Sequence, residues 1–118
     1  MLNQHIALED LEGVILDFGG VLYDIDYDAP PQAFTRLGDA EFASLYHQAS
    51  QSEWFDQLEV GTLSRDAFYD HLMARCLEGT TLEEVHSAWC CILTGMPPAR
   101  ASLVEALGQK TRLFLLSN

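Results

Sequence analysis

One stretch of the 118-residue chain holds a carboxylate where chemistry could be done. It reads Val14-Ile15-Leu16-Asp17-Phe18-Gly19-Gly20-Val21-Leu22-Tyr23-Asp24-Ile25-Asp26. An apolar run leads into Asp17, and two glycines follow it closely. A carboxylate at the end of a buried strand, with permissive backbone after it, sets a nucleophile where N–H groups can turn toward an anion. A second apolar run, Leu113-Phe114-Leu115-Leu116, closes with Ser117 and Asn118 and would deliver a hydroxyl to the same edge.

The other chemistry-bearing side chains read as structural. His5, His47, His71 and His86 include no two at the i, i+4 spacing that clasps a metal, and they read as surface or boundary residues. Cys76, Cys90 and Cys91 are odd in number and contain no C-x-x-C pair, so they read as buried, reduced, structural thiols. Trp54, Phe55 and Leu58 could line a pocket but read first as core packing, as does Trp89.

These residues need elements to hold them. Both apolar runs are short and continuous, the pattern of strands buried on two faces in a parallel sheet, and each ends in a polar residue where open α/β sheets place ligands. Between them the period becomes helical. Asp39 would cap a helix using Phe42, Leu45, Tyr46 and Ala49; Ser64 would cap one carrying Phe68, Leu72 and Cys76. Thr81 and Glu84 fit a capping box ahead of Leu82, Val85, Trp89 and Ile92, and a last helix would run from Pro97-Pro98 to a stop at Gly108. Joining two parallel strands takes one helix of about a dozen residues. The excess chain reads as an inserted helical subdomain.

Composition narrows the partners. Asp and Glu number 18 against 6 Lys and Arg, a net charge of −12, and the basic residues are scattered singly, which disfavours nucleic acid and anionic membranes. Apolar residues make up 48% of the chain, enough to build a core. The first dozen residues carry Glu9, Asp10 and Glu12 and no long apolar run, so the expectation is a cytoplasmic protein without a membrane span. Asp17-Phe18-Gly19 is not the protein-kinase triplet, because too little chain precedes it for a glycine-rich loop, a strand lysine and an H-R-D loop.

The two motifs together resemble the haloacid dehalogenase (HAD) superfamily, in the branch reading Asp-Phe-Gly-Gly-Val at its first motif and including sugar-phosphate phosphatases. The resemblance implies an α/β fold: a partial Rossmannoid core of two parallel strands from residues 1–27 and 96–118, with an inserted α-helical cap at 28–95. It implies that Asp17 attacks a phosphoryl group and forms an aspartyl-phosphate that water later hydrolyses. Mg²⁺ would be held by the Asp17 carboxylate, the Gly19 carbonyl and a later carboxylate. Phosphate oxygens would meet the N–H groups of Phe18 and Gly19, the Ser117 hydroxyl with Asn118 beside it, and a third-motif lysine. In so acidic a chain a metal is the more necessary to hold a phosphate. The substrate class implied is a small phosphorylated metabolite.

Departures from the pattern keep other readings open. Most phosphatases of the superfamily carry an acid two residues after the nucleophile, where this chain has Gly19; Asp24 and Asp26 are the nearest replacements, though a solvated acidic turn is the simpler reading. A metal-independent haloacid dehalogenase-type hydrolase and a non-catalytic helical interaction module on a degenerate core are therefore alternatives. The only lysine, Lys110, precedes the second run. The expectation is an N-terminal fragment that stops before the third and fourth motifs and is inactive alone.

Overall fold

A computed structural model describes residues 6–47 and 50–117. The chain divides into two compact units, one made of Met1–Ile25 with Thr94–Asn118 and the other of Asp26–Leu93.

The first unit opens with a short 3₁₀ turn at Leu8–Asp10, and its centre is a parallel pair, β1 (Val14–Asp17) and β6 (Leu113–Leu116). The register runs Val14 opposite Leu113 through to Asp17 opposite Leu116. The two strands close together at Gly13, where an added Cβ would lie 3.0 Å from the Phe114 ring and 3.3 Å from the Arg112 carbonyl. That close approach lets the Val14 N–H donate to the Arg112 carbonyl at 2.9 Å. A parallel connection needs a crossover, supplied here by α6 (Pro98–Lys110), with prolines at the start where a missing N–H costs nothing. The short strands β2 (Asp24–Ile25) and β5 (Leu93–Gly95) pair where the chain leaves this unit and returns.

One sequence expectation fails here. Gly108 does not stop α6, which continues to Lys110 and ends at Thr111; its backbone is not left-handed, so it serves as an ordinary helical residue. The strands are parallel as expected but not buried on both faces. Ile15 is 68% exposed and Leu116 70%, with Phe114, Leu115 and Leu103 of α6 also exposed, because no further strand or helix among the described residues covers them. This is an apolar surface built for burial and left open in this chain.

The second unit is helical: α1 (Ala29–Arg36), α2 (Phe42–Leu45), α3 (Glu53–Glu59), α4 (Arg65–Met73) and α5 (Leu82–Cys90), with a small antiparallel pair, β3 (Tyr46–His47) and β4 (Ser50–Gln51). Its core is largely aromatic. Phe34, Phe42, Phe55, Phe68, Tyr69, Leu72, Val85 and Ala88 are buried together, with Phe34 stacked on Phe42 at 4.2 Å between centroids. Trp89 and Leu58 pack against this cluster, and Trp54 stacks on His71 at its margin. The Ser64 cap and the Thr81–Glu84 capping box form as read, Ser64 accepting from the Ala67 N–H at 3.1 Å.

Asp39 does something other than cap a helix. It is 4% exposed and forms a two-point ion pair with Arg75, Nε to Oδ2 at 2.8 Å and Nη2 to Oδ1 at 3.1 Å, while Oδ1 also accepts from the Glu41 N–H at 3.1 Å. The helix that follows lasts only from Phe42 to Leu45; Tyr46 is in a strand, and the Ala49 position lies outside the described residues, as does His5. Cys76 lies beyond the end of α4 rather than on it. No helix among the described residues is long and apolar enough to cross a membrane.

Candidate active site

The parallel register decides which side chains meet. Asp17 is the last residue of β1, opposite Leu116, the last of β6, so Ser117 emerges at the same sheet edge one residue further on. Both Asp17 and Ser117 are exposed there. Asn118 lies outside the described residues.

The backbone after Asp17 folds into a tight loop. The Phe18 carbonyl accepts from the N–H groups of Val21, Leu22 and Tyr23 at 3.3, 2.9 and 3.0 Å. Gly20, at φ 77°, donates to the Tyr23 carbonyl at 2.8 Å, a left-handed conformation that glycine takes without strain. The Phe18 and Tyr23 rings stack at 5.2 Å and brace the loop from its side chains. These bonds belong to the neighbours of Gly19, whose own N–H and carbonyl are left without a hydrogen-bond partner among the described residues. Unengaged backbone groups of both signs beside a carboxylate suit an anion and a hard cation. The Phe18 N–H, by contrast, donates to Asp17 Oδ1 at 2.7 Å and holds the carboxylate against the loop.

The carboxylates nearest in sequence are engaged elsewhere. Asp24 Oδ1 meets Arg100 Nη1 at 2.6 Å, and Asp26 Oδ1 accepts from the Asp28 N–H at 2.9 Å. The Gly19 position is crowded, since an added Cβ would sit 2.9 Å from Ile25 Cδ1, so a side chain there requires the Ile25 tip to move. Lys110 ends α6, ahead of β6.

Asp17 and the Gly19 carbonyl fit part of a magnesium shell, since both offer hard oxygen at one loop. No cluster of three or more His, Cys, Asp or Glu able to hold a metal occurs among the described residues. Sequence reasoning missed one pairing altogether: His86 and Cys90 sit one turn apart on α5, with Nε2 and Sγ 3.4 Å apart. The i, i+4 spacing was there to find, but only histidine pairs and cysteine pairs point to it as a motif, and this pair is mixed.

No protein-family model matches the chain. It is 33% identical over 108 residues to a D-ribitol-5-phosphate phosphatase of Bacteroides thetaiotaomicron, an alignment covering 92% of this chain and 52% of that protein. Among solved structures it superposes on an HAD family enzyme of the same organism, a point variant in complex with magnesium and inorganic phosphate, at a TM-score of 0.84 and 22% identity over 92% of this chain and 54% of that one. A predicted HAD-like family hydrolase from Porphyromonas gingivalis matches at a TM-score of 0.75 and 25% identity, over 92% and 51% of the two chains. The chain spans about half the length of the relatives it matches.

Proposed function

We propose that this chain belongs to the haloacid dehalogenase superfamily, a reading its likeness to a phosphatase and to HAD family structures supports, and that it carries the nucleophile of a Mg²⁺-dependent phosphatase acting on a small phosphorylated metabolite. The observation that carries the reading is the juxtaposition of Asp17 and Ser117 at one edge of a parallel pair, beside a loop that leaves the Gly19 N–H and carbonyl unengaged. Likeness to a ribitol-phosphate phosphatase supports a sugar or polyol phosphate as the substrate, and the magnesium and phosphate bound by an HAD neighbour support the metal. The three free thiols suit a reducing compartment, and we place the enzyme in the cytoplasm.

In this mechanism a carboxylate oxygen of Asp17 attacks phosphorus, the bond to the leaving oxygen breaks, and an aspartyl-phosphate forms. The Gly19 N–H and the Ser117 hydroxyl donate to the equatorial phosphoryl oxygens, where charge must be neutralised. The Phe18 N–H orients the nucleophile through Oδ1, leaving Oδ2 for attack or for the metal. Bound Mg²⁺ would be held by Asp17 and the Gly19 carbonyl and would offset the repulsion between a phosphate and a chain of net charge −12. Water then attacks the aspartyl-phosphate. A lysine and a further carboxylate toward the phosphate and metal are proposed to come from residues other than those of this chain. We assign the core to residues 1–27 with 96–118 and the helical cap to 28–95.

The glycine at 19 favours one second reading, hydrolysis of a carbon–halogen bond by the same Asp17 without metal. The protein that carries this chain should be assayed on D-ribitol 5-phosphate and p-nitrophenyl phosphate with Mg²⁺ and with EDTA, and on a haloacetate. Phosphate release that needs Mg²⁺ supports the phosphatase; halide release indifferent to EDTA replaces it with the second reading.

A further inference from the structure

The helical unit holds a second group of reactive side chains. All three cysteines are free and similarly half-buried, yet their thiols face different acceptors. Cys76 Sγ donates to the Leu72 carbonyl at 3.3 Å and Cys91 Sγ to the Ala88 carbonyl at 3.1 Å, and a carbonyl cannot take the proton. Cys90 Sγ instead lies 3.4 Å from His86 Nε2, an atom that accepts a proton when the ring carries its hydrogen on Nδ1.

The surroundings extend this pair. The Tyr69 ring meets the His86 ring edge-on at 5.6 Å, and the Arg65 guanidinium lies 5.9 Å from the Tyr69 ring centre. Arg65, Tyr69 and His86 line one cavity of about 530 Å³ together with Asp66, Leu82 and Glu83. A nucleophile within reach of a base, whose imidazole lines a cavity of small-molecule size, has the parts of a covalent site.

We propose that Cys90, with His86 as its base, is a covalent modification site for small α,β-unsaturated carbonyl compounds. The sulfur forms a bond to the β-carbon as the thiol proton passes to His86 Nε2. The alkene electron pair moves onto the α-carbon and carbonyl as an enolate, which takes the proton back from the imidazolium. One S–C and one C–H bond form, one S–H bond and one C=C π bond break, and no external oxidant or reductant is needed. Cys76 and Cys91 lack a base and serve as internal references on the same chain.

The test is site-resolved mass spectrometry of the chain after timed exposure to N-ethylmaleimide, with and without urea. In the folded chain Cys90 should be labelled about tenfold or more faster than Cys76 and Cys91, the gain a positioned base provides. Urea should slow Cys90, which loses its base, and speed the other two, which lose only burial. His86→Gln should bring Cys90 down to the rates of Cys76 and Cys91 without changing theirs. Equal labelling of the three thiols in the folded chain, or a Cys90 rate that rises in urea, overturns the proposal. Should His86→Gln unfold the helical unit, the comparison of folded and urea-treated wild-type chain still decides.

Discussion

Leu116 stands opposite Asp17 in the parallel register of β1 and β6, and this pairing, rather than proximity in sequence, puts Ser117 at the same sheet edge as Asp17. A one-residue slip would reverse the facing of every side chain of β6 and take Ser117 away from the site. The two residues have different work. Asp17→Asn in the protein carrying this chain should abolish phosphate release, because an amide is no nucleophile. Ser117→Ala should lower kcat about 100- to 1000-fold with Mg²⁺ dependence retained, the usual loss for one donor to a developing oxyanion. Equal activity of Ser117→Ala and wild type in a kcat determination would remove Ser117 from the site.

Gly38 is held at φ 97°, and a Cβ there would lie 2.5 Å from Leu77 Cγ and 3.2 Å from the Leu77 backbone nitrogen. The backbone cannot yield, since the Leu77 N–H donates to the Leu37 carbonyl at 2.8 Å. Gly38→Ala therefore combines left-handed strain with a clash and should cost about 2–3 kcal/mol. Urea denaturation of the variant should show the midpoint lowered; Gly79→Ala, with open space around an equally left-handed glycine, should lose less.

The Asp39–Arg75 pair joins the segment after α1 to the segment after α4. Asp39 is almost fully buried while about a third of Arg75 reaches solvent, so each truncation leaves a different remnant. Arg75→Ala strands a buried carboxylate and should cost about 2–4 kcal/mol, at or below the range for broken buried pairs because solvent already screens the arginine. Asp39→Ala frees a cation that can turn outward and should cost less. A double-mutant cycle by urea denaturation should return a coupling of about 1 kcal/mol or more; additive losses would mean that the pair contributes nothing beyond packing.

What was legible in the sequence was what local chemistry alone decides. The Ser64 cap and the Thr81–Glu84 box follow from side chains bonding within a few residues of themselves, and the Asp17 and Ser117 strand ends from where two short apolar runs stop. Asp39 was misread because a capping aspartate and a buried partner for an arginine 36 residues away look identical in sequence. Helix α1 went unread because Pro30 and Pro31 signal a turn, although a first helical turn tolerates them. The exposure of Ile15 and Leu116 was legible as well: an apolar run records burial in a complete sheet, and two strands cannot cover both faces of one.

Stability should fall in alkaline solution, and the sign follows from which state holds its protons longer. Burial raises the phenols of Tyr46 and Tyr69 above their ordinary 10.0 and the thiols of Cys76 and Cys91 above their ordinary 9.0, since an ion in the apolar interior loses its hydration. Well below pH 9 all four groups are protonated in both states, so they contribute no pH dependence. Above it the unfolded chain gives up protons that the folded chain keeps, and the free energy of unfolding declines with rising pH. The thiols act first, from about pH 9, and the phenols from about pH 10. Urea midpoints measured from pH 7 to 11 should therefore be level and then descend, and Tyr69→Phe should flatten the descent above pH 10 while leaving its onset near pH 9 in place. A midpoint that held constant to pH 11 would show that these groups reach solvent in the folded chain.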